Sequence, residues 1–283
     1  MGTRDTTTDR SPAARRLLDG VRHGLRRLVH RRSRRTIAVV PHDENPAFVM
    51  AATAIAALAA IALLDPWSRG RFGAAGGAMR SFLKTLTSYG EGVEILVVSA
   101  VILIVCLAVS PAGLPRRVRA GLVEIGYAAA FAIVSVAGSG LTASLIKNAL
   151  GRTRPEHLSG ANVFELHPFA FTAKHAALPS GHSTTAGATA MVLALLFPGL
   201  RLPILAAGVL VAGSRVLLEA HFPADVVAGF GFGAAFTLAA AQALARRDLV
   251  FRRGADGRLE PKTADRPANW PNVLAALIAR AKA

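Results

Sequence analysis

Long apolar stretches with almost no charge dominate the middle of the chain. Six of them approach the roughly 20 residues that an α-helix needs to cross the hydrocarbon core of a bilayer. They are Ala47–Leu64, Ile95–Val109, Ile125–Ile146, Ser183–Leu200, Leu202–Leu218 and Val226–Ala245. Because backbone N–H and C=O groups inside lipid must bond within the protein, each stretch is predicted to be a helix. The pattern therefore predicts an all-α, polytopic membrane bundle of six transmembrane helices.

Basic residues concentrate at the two ends of the chain. Eleven arginines lie in residues 1–46, and nine lysines and arginines lie in residues 246–283. Since loops enriched in Lys and Arg remain in the cytoplasm, both termini and the Arg-containing loop 110–120 are predicted to be cytoplasmic. The opposite, outer side then receives residues 65–94, 147–182 and 219–225.

These patterns divide the chain into three parts. A basic cytoplasmic segment, 1–46, is followed by a six-span domain, 47–246, and by a basic cytoplasmic tail, 247–283. Residues 12–35 carry leucines and valines on one helical face with arginines around them, which fits an amphipathic helix at an anionic membrane surface. A solvated basic tail is an equally good interpretation. Residues 71–88 are too polar to span and are predicted to form a re-entrant or surface helix on the outer side.

The composition narrows the class of protein. Apolar residues make up 52% and charged residues 18% of the chain, and the formal net charge is +16. A nucleic-acid-binding protein would spread that charge over its folded domain, whereas here the basic residues lie at the ends, so we expect no nucleic-acid partner. The Ala- and Arg-rich composition is typical of GC-rich bacterial genomes, which favours a bacterial inner membrane. The oligomeric state is left open.

A set of polar residues falls at the outer ends of the predicted spans or in the outer loops. Since six spans offer inner and outer ends alike, their placement on one face of the membrane indicates a common site. The set comprises Lys147, Arg154, Ser180, Gly181, His182, Arg215, His221 and Asp225.

The residue types in this set suit a phosphoryl group. Three are fixed cations, Lys147, Arg154 and Arg215, and a guanidinium presents forked donors that match phosphate oxygens. The segment Pro179-Ser180-Gly181-His182 begins a helix, and the free N–H groups and dipole at a helix start favour an anion.

Two imidazoles and a carboxylate complete the chemistry. An Asp225 carboxylate that accepts from one nitrogen of His221, four residues away, leaves the other nitrogen as a nucleophile. His182 is then available to protonate a leaving oxygen. Such a site transfers a phosphoryl group with no metal and no cofactor.

Each residue also has a purely structural interpretation. A single Lys or Arg at a span end is usually an interfacial anchor. Arg215 is placed to pair with Glu219, four residues on, and His221 with Asp225 could form only a structural hydrogen bond. His167 and His175 lie in the loop between the motifs and are assigned no role. The joint arrangement on one side favours the functional interpretation.

These spacings resemble the signature of the type 2 phosphatidic acid phosphatase superfamily, which also includes soluble vanadium haloperoxidases and bacterial acid phosphatases. The resemblance covers residues 147–225, and the six-span layout looks like the membrane branch of that family. The matching parts are Lys147, six residues, Arg154-Pro155; Pro179-Ser180-Gly181-His182; and Ser214-Arg215, five residues, His221, three residues, Asp225.

The resemblance implies a role for each residue of the set. His221 would attack phosphorus and form a phosphohistidine, Asp225 would orient His221, and His182 would protonate the leaving group and then activate water. The phosphate would be held by Lys147, Arg154 and Arg215, with the Ser180 hydroxyl and the Gly181 N–H.

We therefore expect an integral membrane lipid phosphatase acting at the outer face on a lipid phosphate monoester or pyrophosphate. Candidate substrates are undecaprenyl pyrophosphate, phosphatidylglycerol phosphate, phosphatidic acid and a lipid A phosphate. The basic ends would contact anionic membrane lipids. The alternatives are a catalytically silent lipid-binding or transport protein of the same fold and, less favoured because of the six spans, a vanadium haloperoxidase.

Overall fold

The computed structural model describes residues 40–72, 76–110, 114–158 and 162–262, together with 18, 19, 22, 275 and 279. Apart from 18, 19 and 22, the segment predicted to form an amphipathic helix, 12–35, lies outside these residues. The helices within the described ranges are α1 Pro46–Ser68, α2 Gly77–Ser88, α3 Val93–Ala108, α4 Arg116–Leu150, α5 Gly181–Leu196, α6 Arg201–Leu217 and α7 Pro223–Ala245. The antiparallel strands β1 Phe251–Arg253 and β2 Leu259–Pro261 follow them.

Every predicted span corresponds to a helix, and the expected all-α, multi-pass membrane fold is confirmed. Five helical stretches among the described residues are long and apolar enough to cross a membrane, namely 46–68, 77–108, 116–150, 198–217 and 223–245. On α1 the side chains of Ile55, Leu58 and Leu63 are about two-thirds exposed. Apolar side chains in that position match a lipid environment better than water.

Helix α5 occupies the centre of the bundle and packs against α4, α6 and α7. It has only 16 residues, and most of its side chains are buried. Small residues permit this close packing. A Cβ on Gly233 of α7 would lie 2.0 Å from the Thr184 carbonyl oxygen of α5, and one on Gly187 would lie 2.2 Å from that of Phe230. The central helix is therefore surrounded by protein.

Helix α7 begins three residues before the predicted span. Pro223 stands in its first turn, where a missing N–H costs nothing. The Asp225 carboxylate accepts a hydrogen bond from the Phe222 N–H, with N and Oδ2 3.0 Å apart. The start of the helix is thus built around a residue of the predicted site.

Helix α4 is longer than predicted at both ends. It begins at Arg116, directly after Pro115, so the arginines assigned to the loop 110–120 lie in its first turn. Arginine is a good helix former, which the hydropathy pattern does not register. The helix ends at Leu150, followed by Gly151 with φ of +68°.

The β-hairpin closes the end of the bundle opposite the site, and the sequence pattern did not predict it. Phe251 is fully buried against the ring of Phe131. The nearby Glu44 carboxylate, also buried, accepts from Arg201 at 3.2 Å and from the Leu259 N–H at 2.8 Å. These contacts join the chain before α1, the start of α6 and the hairpin.

Candidate active site

The eight predicted site residues all lie at one end of the bundle. Helices α4 and α6 end there, α5 and α7 begin there, and the connecting loops supply the rest. Lys147 is in the last turn of α4, Arg154 in the loop, Ser180 at the N-cap of α5, Gly181 and His182 in its first turn, Arg215 in the last turn of α6, His221 between α6 and α7, and Asp225 in the first turn of α7.

The three predicted cations surround the start of α5. Lys147 Nζ lies 3.9 Å from the point that a Cβ on Gly181 would occupy. Arg154 lies within electrostatic range of both Lys147 and Arg215. Like charges gathered at a partly buried place repel one another, and an anion between them relieves the repulsion.

Two of these cations keep unused donors inside the protein. The Nε atoms of Arg154 and Arg215 are buried, and neither has a hydrogen-bond partner among the described residues. A buried donor without an acceptor is costly. An oxyanion between the two guanidinium groups would satisfy both.

Ser180 sets the direction of helix α5. Its hydroxyl oxygen accepts from the Ser183 N–H at 3.4 Å and from the Ser183 hydroxyl at 3.0 Å. Its own N–H donates to the Asp225 carbonyl oxygen at 3.0 Å. A hydroxyl carries one donor hydrogen besides its acceptor sites, so Ser180 can also donate to a ligand. The cap therefore joins the start of α5 to the start of α7.

His221 and Asp225 lie next to each other, but His221 Nδ1 makes no hydrogen bond among the described residues, so the predicted hydrogen bond is not formed. His221 Nδ1 lies 3.6 Å from Asp225 Oδ2, and both side chains are buried. Burial lowers the pKa of His221, because the imidazolium loses its hydration; Asp225 opposes this shift, and Arg154 and Arg215 add to it. These surroundings favour the neutral imidazole, with Nε2 on the side of the ring away from Asp225.

His182 is the more accessible of the two site imidazoles. Its Nε2 lies 3.5 Å from the Glu91 carboxylate, and about a third of the side chain is exposed. It lies within electrostatic range of Arg215 and His221. The sequence did not single out Glu91, which belongs to the turn between α2 and α3 and reaches His182 only through the folding of α3 against the bundle.

Two further charged residues at the site were also missed. The buried Arg152 guanidinium contacts the Asp225 carboxylate at 2.6 Å and the Asp65 carboxylate at 2.7 Å. Asp65 follows directly after the first predicted apolar span, and an ionisable residue in such a place is a signal of function. Arg152 lies inside the six-residue spacer between Lys147 and Arg154, where the motif specifies no residue type.

The loop between the first two motifs folds back over the end of α4. The His167 N–H donates to the Gly151 carbonyl at 2.8 Å. A Cβ on Gly151 would lie 1.8 Å from the His167 carbonyl oxygen, so only glycine fits there. Thr153 Oγ1 and His175 Nδ1 form a hydrogen bond at 2.9 Å. Both loop histidines thus help to hold the backbone around Arg152.

The alternative partner considered for Arg215 is engaged elsewhere. The Glu219 carboxylate accepts from the Phe72 N–H at 3.1 Å, while Arg215 Nη1 donates to the Thr87 hydroxyl at 3.4 Å. Part of the segment 71–88, predicted to form a re-entrant or surface helix, is helical as α2, and Thr87 of this helix contacts Arg215. Within the described ranges, no group of three His, Cys, Asp or Glu side chains is arranged to hold a metal ion.

Comparison with known proteins places this arrangement in a family. The model of the PAP2 superfamily matches residues 128–248. A lipid A 1-phosphatase from Rhizobium etli is 34% identical over 180 residues, which are 64% of this chain and 78% of that protein. A lipid A 1-phosphatase from Rhizobium johnstonii is 40% identical over 141 residues, 50% of this chain and 58% of that protein.

One solved structure is also similar. It is a transmembrane PAP2-type phosphatidylglycerolphosphate phosphatase from Bacillus subtilis, with 16% identity, 80% of this chain and 94% of that chain covered, and a TM-score of 0.43. The Rhizobium etli relative is 34% identical over 78% of its own length, and the PAP2 model matches residues 128–248. This chain therefore belongs to the PAP2 superfamily.

Proposed function

We propose that this membrane lipid phosphatase removes the 1-phosphate of lipid A, at the outer face of a bacterial inner membrane. Two relatives with 34% and 40% identity carry the name lipid A 1-phosphatase. The observation that carries the proposal is the cluster of cations at the start of α5. Its buried Nε donors on Arg154 and Arg215 suit the oxygens of a phosphate monoester.

The first step is binding of the phosphate. Lys147, Arg154 and Arg215 neutralise its charge, and their repulsion in the free enzyme makes the dianion the preferred ligand. The Ser180 hydroxyl and the Gly181 N–H, at the positive end of the α5 dipole, donate to the remaining oxygens. Gly181 lets the phosphate approach the backbone closely, since no side chain stands in the way.

The second step forms a phosphohistidine. His221 Nε2 attacks phosphorus, an N–P bond forms, and the bond from phosphorus to the lipid oxygen breaks. Asp225 stabilises the positive charge that develops on His221. His182 gives a proton to the departing oxygen, so that the lipid leaves as an alcohol.

The third step releases inorganic phosphate. His182, now neutral, takes a proton from a water molecule, and the resulting hydroxide attacks phosphorus. The N–P bond breaks and His221 returns to its starting form. The same acid and base serve both halves of the reaction, and no residue is consumed.

The test is a phosphate-release assay on the purified full chain in detergent with EDTA. The panel contains lipid A, phosphatidic acid, phosphatidylglycerol phosphate and undecaprenyl pyrophosphate, and ³¹P NMR of the lipid A product identifies the phosphate removed. We expect loss of the 1-phosphate, faster turnover than on the other lipids, and an acid-labile, alkali-stable phosphoenzyme. We further expect His221→Ala to abolish release.

Other outcomes would overturn parts of the proposal. Preference for another lipid in the panel contradicts the substrate, and release by folded His221→Ala contradicts the nucleophile. If no lipid is hydrolysed by a protein that binds lipid A, the catalytically silent lipid-binding alternative is favoured.

A further inference from the structure

We propose that Asp65 and Arg152 are positioning residues for the reaction, which hold the Asp225 carboxylate against His221 and set how much negative charge it offers. The inference rests on the proposed role of the His221–Asp225 pair. Neither residue belongs to the three-part motif. Both act through Asp225, so neither needs to touch the substrate.

Arg152 is placed between two carboxylates from different helices. Its Nη1 donates to Asp225 Oδ1 at 2.6 Å, and its Nη2 donates to Asp65 Oδ2 at 2.7 Å and to the Val163 carbonyl at 3.1 Å. All three charged side chains have no exposed surface. These buried hydrogen bonds restrict the positions of all three side chains, although Arg152 Nε has no partner among the described residues.

The network fixes the rotamer of Asp225. One oxygen, Oδ1, is held by Arg152, and the other, Oδ2, accepts from the Phe222 N–H at 3.0 Å. Oδ2 is also the atom that faces His221 Nδ1 at 3.6 Å. With both oxygens anchored, the carboxylate cannot rotate away from the imidazole.

Asp65 fixes the helix that carries Asp225 as well. Its Oδ1 accepts from the Ala224 N–H at 3.0 Å, within the first turn of α7. Asp65 lies near the outer end of α1, so this contact ties α1 to the residue next to Asp225. One side chain thereby positions both Arg152 and the backbone of the site.

The charges explain why two carboxylates share one guanidinium. Asp225 and Arg152 alone would be a neutral pair, and a guanidinium bound fully to Asp225 would draw negative charge away from His221. Because Asp65 shares Arg152, the three groups together keep one net negative charge. That charge stabilises His221 as it becomes positive on attack at phosphorus.

Arginine is required at position 152 for its shape as well as its charge. The guanidinium carbon lies 4.8 Å from the centre of the Phe164 ring and 4.6 Å from that of Phe222. A planar cation packs against aromatic rings and donates to two acids at once, which a lysine ammonium does not reproduce.

The charged and titratable groups that face His221 come from several elements. Asp225 lies on α7, Arg154 on the loop after α4, Arg215 at the end of α6 and His182 at the start of α5. Asp225 is the acidic member of this set. Asp225 contacts both Arg152 and His221, so it is the direct route by which a change at Arg152 reaches the imidazole.

The decisive variant is Asp65→Asn, whose single amide oxygen can still accept from the Ala224 N–H. It removes the charge and replaces the oxygen that accepts from Arg152 with an amide nitrogen. We expect kcat to fall about tenfold with KM within about twofold, because the effect acts on the reacting imidazole and not on lipid binding. We also expect the acid limb of kcat/KM to shift to lower pH by about half a pH unit, because Arg152 would then be paired with Asp225 alone.

Glu44→Gln is the matched control. Glu44 is a buried carboxylate paired with Arg201 and Arg258 at the other end of the bundle. Loss of the Glu44 charge should lower the thermal unfolding temperature but leave kcat and the pH profile of the folded protein unchanged. If Asp65→Asn behaves like this control, the positioning role is wrong.

Arg152→Lys provides a second, independent variant that keeps the buried positive charge. We expect a loss of kcat at least as large as in Asp65→Asn, and an unchanged kcat per folded molecule would overturn the proposal. Orthovanadate affinity, measured by calorimetry, gives a readout that needs no lipid substrate. We expect both variants to bind vanadate about tenfold more weakly than the unmodified protein.

The two proposals fail in different ways. If the unmodified protein hydrolyses no lipid phosphate, the proposed function is wrong, while the vanadate affinities still decide whether Asp65 and Arg152 position the site. If the protein hydrolyses lipid A but folded Asp65→Asn keeps its kcat, pH profile and vanadate affinity, the positioning role alone is wrong.

Discussion

His221 is subject to opposing electrostatic influences from its surroundings. Complete burial, reinforced by Arg154 and Arg215, lowers its pKa, and Asp225 acts in the opposite direction. In its proposed role as nucleophile, His221 must be neutral to attack. A lowered pKa means that the ring remains neutral as pH falls through the ordinary value of about 6.5. Activity should therefore persist into mildly acidic solution.

The prediction at the scale of this residue concerns the acid limb of kcat/KM, which reports the free enzyme. We expect its midpoint below pH 6.5. Asp225→Asn should move the midpoint lower still and reduce kcat, because the carboxylate is the group that favours the imidazolium. A midpoint at or above 6.5 in a folded, active protein would contradict the environment described for His221.

The residues of the site differ in how far the sequence reveals them. Motif spacing and topology identified eight, from Lys147 to Asp225, and the structure gathers all eight at one end of the bundle. Asp65, Glu91 and Arg152 were missed. Asp65 and Arg152 are 87 positions apart along the chain, so their contact depends on the packing of α1 against α7 and not on any local pattern.

At the scale of elements, the close approach of α5 and α7 determines where the site residues stand. The approach depends on glycines such as Gly233, opposite the Thr184 carbonyl oxygen. Thr184 is also bound to the N-cap, because its N–H and hydroxyl donate to the Ser180 carbonyl oxygen at 2.9 Å. Displacement of Thr184 would therefore be transmitted to the start of α5, where we propose that phosphate binds.

We predict that Gly233→Ala destabilises the protein by about 1–3 kcal/mol. The new Cβ would lie 2.0 Å from a backbone oxygen that cannot rotate aside, so α5 and α7 must separate. Gly213→Ala on α6 is the control, since its Cβ meets no atom within 4 Å and alanine favours the helix. Thermal unfolding in detergent compares the two, and equal stability would refute the packing role of Gly233.

Hydropathy predicted the presence of the membrane helices more accurately than the positions of their ends. Helix α7 starts three residues before the predicted span because Pro223 and the Asp225 carboxylate stabilise its first turn. Hydropathy does not register either effect. The hairpin 251–261 was missed, because its two strands of three residues are too short to show an alternating pattern. Its stability comes from Phe251 and Leu259, which are buried against the bundle.

At the scale of the whole molecule, the two ends of the bundle have different chemistry. One end carries the cations proposed to bind phosphate, together with the buried Arg152 and its two carboxylate partners. The other carries the buried Glu44 with Arg201 and Arg258, close to further arginines that flank the hairpin. The second end also lies next to the basic segments 1–46 and 246–283. Since segments rich in Lys and Arg remain in the cytoplasm, we predict that the second end faces the cytoplasm.

This orientation predicts which loops reach the outside of the cell. Cys106 is the only cysteine of the chain, so a Cys106→Ala background leaves no thiol. Lys174→Cys places one on the exposed loop beside the site, and Gly199→Cys places one at the opposite end of α5, where a Cβ meets nothing within 4 Å. In intact bacteria a membrane-impermeant maleimide should label position 174 and not position 199, and both after detergent lysis. The reverse pattern would invert the protein and move the proposed reaction to the cytoplasmic face, whereas labelling of both in intact cells would mean that α5 does not separate the two sides.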